Sequence, residues 1–189
     1  MRKVIVILCF WALNCLASSE AQLQYIAQAS EAAPSHITNN ATYLHFENGR
    51  FVKIKTGKNN FTCLVVHEPK GRFEPSCFNE EAVRTILPAY EMHMKLLYQG
   101  LSYEKTYEAL DKAFKKGKLP TAETGALVYM MSPNNKFYHD GKLSHSPVHQ
   151  MYFYPKLEDK VFSLGAGPVF LWQGFPHLSA LIVTVPAAN

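Results

Sequence analysis

The chain has 189 residues, 48 % hydrophobic and 18 % charged, which suits one folded domain and excludes a disordered secreted tail. A formal charge of +4, spread along the chain rather than gathered into a block, argues against nucleic acid as a partner. The densest basic cluster, Lys112, Lys115, Lys116 and Lys118, falls at the end of a predicted helix, where it complements the helix dipole.

In chain order, the first feature is a leader. Arg2 and Lys3 precede an unbroken apolar run over 4–13, and small residues follow at Ala17, Ser18, Ser19 and Ala21. A positive start, an apolar centre and small residues near a cut mark a secretory signal peptide. Cleavage is expected after Ala21 or Ser19. The run is shorter than the roughly 20 apolar residues that span a bilayer, and no later stretch approaches that length. The mature chain is therefore expected to be secreted or periplasmic and to lack a transmembrane segment. Loss of Arg2, Lys3 and Glu20 lowers the formal charge from +4 to +3.

Residues 22–40, rich in Ala, Ser and Gln without a clear period, read as a flexible lead-in, and 41–189 as a single domain. A strand is predicted over 42–47. Asn48-Gly49, both tolerant of positive φ, turn it into a second strand over 50–55, with Glu47 facing Arg50 and Phe46 facing Phe51. The strand predicted over 61–67 is apolar on both faces and belongs in the centre of its sheet. Residues 69–77 read as a loop. Cys63 and Cys77 remain after the leader takes Cys9 and Cys15. In an oxidising compartment the default is one disulfide, worth about 3 kcal/mol for a loop of about 15 residues; a metal site on Cys63, His67 and Cys77 is the rival. Two sequons, at Asn40 and Asn60, matter only in a host that glycosylates secreted proteins.

Asn79 caps a helix whose buried stripe is Val83, Ile86, Leu87, Tyr90, Met94 and Leu97, with Pro88 kinking or dividing it. Ser102 caps a second helix that buries Tyr103, Tyr107, Leu110 and Phe114 and stops at Gly117. The two form a predicted hairpin. Strands resume at 126–131, 136–139, 148–154, 169–172 and 180–185. The expected fold is thus α+β, a mainly antiparallel sheet with a helical hairpin inserted between N- and C-terminal strands.

Candidate chemistry concentrates in the last third. His145, His149 and His177 are candidate metal ligands, three imidazoles suiting zinc or copper. An extended segment would hold His145 and His149 about 13 Å apart, and only a bend at Pro147 closes that gap. Ordinary surface or packing histidines account for the same residues. Met92-His93-Met94 invites a copper reading, but helix geometry sets the two thioethers about 200° apart. Tyr152 and Tyr154 share one face of a strand and are candidate pocket wall. Nucleophile motifs and a dinucleotide fingerprint are missing: Gly165-Ala166-Gly167-Pro168 precedes a strand rather than a helix.

At Asn60-Phe61-Thr62-Cys63-Leu64-Val65, Arg84-Thr85-Ile86-Leu87-Pro88 and Pro147-Val148-His149-Gln150-Met151-Tyr152-Phe153-Tyr154, the chain resembles an uncharacterised group of secreted bacterial proteins, from about Ala41 to Val185. The resemblance implies a bacterial, periplasmic origin and brings no activity or ligand. The function expected is non-enzymatic binding of a metal or small ligand. The alternatives are a metal-dependent hydrolase, with Asp140 or Glu158 as its acid or base, and a protein-interaction module with an aromatic face.

Overall fold

A computed structural model describes residues 20–123, 125–139, 141–155 and 168–185. Residues 1–19, which hold most of the leader expected over 1–21, lie outside the described residues, as do Asp140, Glu158 and the 165–167 glycine stretch. The chain is α+β, with helices packed on a large, mostly antiparallel sheet. Helix α1 covers 20–30 and α2 Ser35–Thr38. Four strands follow, β1 Thr42–Glu47, β2 Arg50–Lys55, β3 Phe61–His67 and β4 Phe73–Asn79. Three helices come next, α3 Glu80–Thr85, α4 Leu87–Tyr98 and α5 Tyr103–Lys115. The remaining strands are β5 Ala126–Met130, β6 Lys136–His139, β7 Lys142–His145, β8 His149–Pro155, β9 Val169–Trp172 and β10 Leu178–Thr184. Their order across the sheet is β2-β1-β3-β4-β5-β8-β10-β9, with the β6–β7 hairpin attached through β4.

Local chemistry sets the boundaries. Asn48 (φ 51°) and Gly49 (φ 80°) make the first turn, and Glu47 faces Arg50 while Phe46 faces Phe51. The Asn79 carboxamide accepts from Ala82 N at 2.9 Å and caps α3. Pro88 stands at the start of α4, where its missing N–H costs nothing, so the long helical stripe is divided into α3 and α4. Ser102 caps α5 through Lys105 N.

Strand β3 is buried on both faces. Leu64 and Val66 join the core under α3, α4 and α5, whereas Cys63 and Val65 join a second core under α1 and α2. Cys63 lies directly opposite Cys77 of β4, and the two form a disulfide with Cα atoms 4.1 Å apart. The segment expected as a loop over 69–77 is strand from Phe73 onward. Pro75 disguised it, yet among the described residues β5 pairs with β4 at Cys77 and Phe78 and β6 at Phe73. Pro75 falls in the gap between them, where a residue without an N–H costs no ladder bond.

The stretch expected as a flexible lead-in is helical over 20–30 and Ser35–Thr38. Its burial rests on small residues, Ala29, Ala32 and Ala33, which bring the backbone close to the sheet without an obvious apolar period. Tyr25 fastens α1: its hydroxyl donates to Leu44 O (2.8 Å) and accepts from Val65 N (3.0 Å). Strands β1 and β3 pair in parallel only at Thr42 and Tyr43, so this hydroxyl bridges them where they diverge. Burial, only partly offset by the Val65 N–H, pushes the Tyr25 phenol up to about 12.

Replacing Tyr25 with Phe leaves Leu44 O and Val65 N unpaired and is expected to cost about 1–3 kcal/mol. Reducing the disulfide is expected to cost about 3 kcal/mol. Urea unfolding of the variant, and of the parent with and without reductant, measures both.

Candidate functional site

One half of the sheet carries a cavity of about 480 Å³ between strands and helices. Its floor follows from strand register. Met130, His149 and Thr184 stand side by side across β5, β8 and β10, and Met151, Ile182 and Phe170 form the next row. Alternation along each strand points these side chains to the face that α4 and α5 cover. The roof is Tyr90 of α4 with Tyr103 and Tyr107 of α5, and the β6–β7 hairpin adds Phe137 and Tyr138. Phe175, in the β9–β10 connection, fills the back, its ring 5.0 Å from Tyr90, 5.1 Å from His93 and 5.7 Å from Trp172. Gly174 permits that packing, because a Cβ there would lie 2.0 Å from the Trp172 indole.

The polar end of the cavity is a buried charge network anchored on the β3–β4 turn. Glu68 is 1 % exposed. It accepts from His93 Nε2 of α4 (3.0 Å), Arg72 (2.8 Å) and the Tyr103 hydroxyl of α5. Arg72 reaches back through Nε to Glu74 Oε2 (2.6 Å), and both Arg72 and Glu74 line the cavity. Burial alone would raise the Glu68 carboxyl. The His93 hydrogen bond, the Arg72 and His93 charges and the Tyr103 hydroxyl outweigh it and hold Glu68 at about 2. Burial lowers Arg72, but Glu74 and Glu68 override it and the net shift is upward. Burial and the hydrogen bond to Glu68 raise the Tyr103 phenol, and burial raises Tyr90 and Tyr107, so all three stay protonated at neutral pH. The remaining ring nitrogen of His93, Nδ1, is buried and has no partner among the described residues.

The three candidate histidines are not brought together. His149, 5 % exposed, lines the cavity, with Nδ1 donating to Pro147 O at 2.6 Å. His145 sits opposite Lys136 on the exposed β7 strand. His177 adjoins Leu178 and bonds Asp111 through Nε2 at 2.9 Å. Leu178 pairs with Pro155, six positions along β8 from His149, a separation of about 20 Å. Among the described residues no group of three or more His, Cys, Asp and Glu is placed to hold a metal ion. Tyr152 and Tyr154, expected as pocket wall, point to the opposite face of β8 from His149 and Met151, and the Tyr152 hydroxyl bonds Gln150 instead. Sequence reasoning missed Arg72 and Glu74, whose segment read as a loop, and Glu68, which lies just before it. Tyr103 and Tyr107 were visible as a helix stripe, with nothing to show that they face a cavity. Compared with family models, curated proteins and solved structures, the chain matches none.

The depressed Glu68 carboxyl ties stability to pH. Its contribution is fully present above the unfolded value of 4.5 and is lost as pH falls toward about 2. Glu68→Gln is expected to be less stable than the parent at pH 6, with the gap closing between pH 4.5 and 2, measured by urea midpoints. A constant gap across that range would contradict the assignment.

Proposed function

We propose that the protein is an exported, non-enzymatic binding protein that takes a small, largely apolar molecule into the Tyr90–Trp172 cavity. The observation that carries this reading is the cavity itself. Its volume of about 480 Å³ falls within the range of small-molecule sites, roughly 300–1,000 Å³. Its walls are aromatic, with a few buried polar groups at one end, the composition that binds an apolar body and fixes its orientation. Export is supported by the leader over 1–21 and by the Cys63–Cys77 disulfide, which persists in oxidising compartments. Among the described residues no helix is long and apolar enough to cross a membrane. The resemblance to secreted bacterial proteins points to the periplasm as the compartment.

Trp11 and Trp172 are the two tryptophans, so a Trp11→Phe background makes Trp172 the sole reporter, inside the cavity. The neutral probe N-phenyl-1-naphthylamine is expected to bind saturably, gaining fluorescence while quenching Trp172. Ile182→Phe, which narrows the cavity floor without adding a tryptophan, is expected to weaken that binding. Absence of saturable binding to the parent would overturn the reading.

A further inference from the structure

Resting on the reading of this cavity as a binding site, we propose that its ligand is an organic cation: an ammonium group carried on an apolar body. The first support is the uneven pairing of charges at the polar end. Arg72 spends its fork on both Glu68 and Glu74, at 2.8 Å and 2.5 Å. Glu68 is engaged further by His93 and Tyr103, whereas among the described residues the Glu74 carboxylate has Arg72 as its sole partner.

The second support is the direction of the free polar atoms. Glu74 is 4 % exposed and lines the cavity. Both Arg72 contacts fall on its Oε2, and among the described residues Oε1 has no partner. His149 is 5 % exposed. Its Nδ1 donates to the Pro147 carbonyl, so in the neutral ring Nε2 offers a lone pair. Both groups are acceptors and both call for a donor. A neutral hydrocarbon would offer neither of them a donor. An anion would meet Glu74 beside a cation already engaged by two carboxylates.

The third support is the rings. Aromatic faces carry the negative end of a quadrupole and attract ammonium groups. Lys70 Nζ already sits over two of the rings, 5.4 Å from the Tyr103 centroid and 5.5 Å from that of Tyr138, which leaves Tyr90, Tyr107, Trp172 and Phe175 to an occupant.

Three compounds of one shape separate the possibilities: 1-adamantylmethylammonium, 1-adamantylmethanol and 1-adamantanecarboxylate, titrated at pH 7.5 against Trp172 fluorescence in the full chain carrying Trp11→Phe. The ammonium is expected to bind about tenfold more tightly than the alcohol, with the carboxylate weakest. Glu74→Gln is expected to remove most of the ammonium's advantage over the alcohol. The ranking on the parent protein decides the matter even if that variant does not fold. Equal binding of ammonium and alcohol, or tightest binding of the carboxylate, overturns the cation inference and leaves the cavity a binding site. So does binding of N-phenyl-1-naphthylamine with none of the three. Failure of that neutral probe together with all three removes both readings.

Discussion

The Glu68 carboxylate is the point on which three separate parts of the chain converge. It belongs to the turn between β3 and β4, yet its partners come from α4 (His93) and α5 (Tyr103) as well as from Arg72 two residues before Glu74. A buried carboxylate is tolerable only when it is paired and hydrogen-bonded. The requirement works in both directions, because the groups that satisfy Glu68 are themselves placed by it. Tyr103 is drawn down at the start of α5 and His93 is oriented within α4. Removing one partner would leave an uncompensated group in the interior, so the turn and the two helices hold their positions together.

That arrangement explains why a cavity exists where a packed core would otherwise form. Close to Phe78, Leu64 and Ile86 the helices meet the sheet in continuous apolar contact. Farther along, α5 presents Tyr103 and Tyr107, whose rings reach out while their phenols stay on the polar side. Large planar groups at the roof and at Trp172 and Phe175 keep floor and roof apart. The polar groups lie at one end, next to the network, and the apolar surface lies at the other. The cavity is thereby asymmetric, and an occupant has one favourable orientation.

Much of the framework was legible in the sequence because it rests on local rules. Asn48-Gly49, the caps at Asn79 and Ser102, the doubly apolar β3 and the alternation of β8 all follow from neighbouring residues, and the Cys63–Cys77 pairing follows from counting. What was hidden depended on distance in sequence or on small side chains. Pro75 and Glu74 made β4 look like a loop, since nothing nearby shows the gap between β5 and β6 into which the proline fits. Ala29, Ala32 and Ala33 bury the end of α1 and its link to α2 without a hydrophobic signature. Glu68 and His93 are twenty-five residues apart, and no spacing rule joins a turn carboxylate to a helix histidine. The His145, His149 and His177 set looked like a group because its members are close in sequence, whereas β8 and β10 carry His149 and His177 to opposite ends of the sheet.

The cross-strand position of the disulfide has a consequence for how the sheet is assembled. Cys63 and Cys77 meet only when β3 and β4 are in their native alignment. A slip of one residue would send the two side chains to opposite faces of the sheet, beyond the reach of a sulfur–sulfur bond. Oxidation therefore acts as proofreading: thiol chemistry seals the correctly aligned hairpin and leaves misaligned ones open to try again.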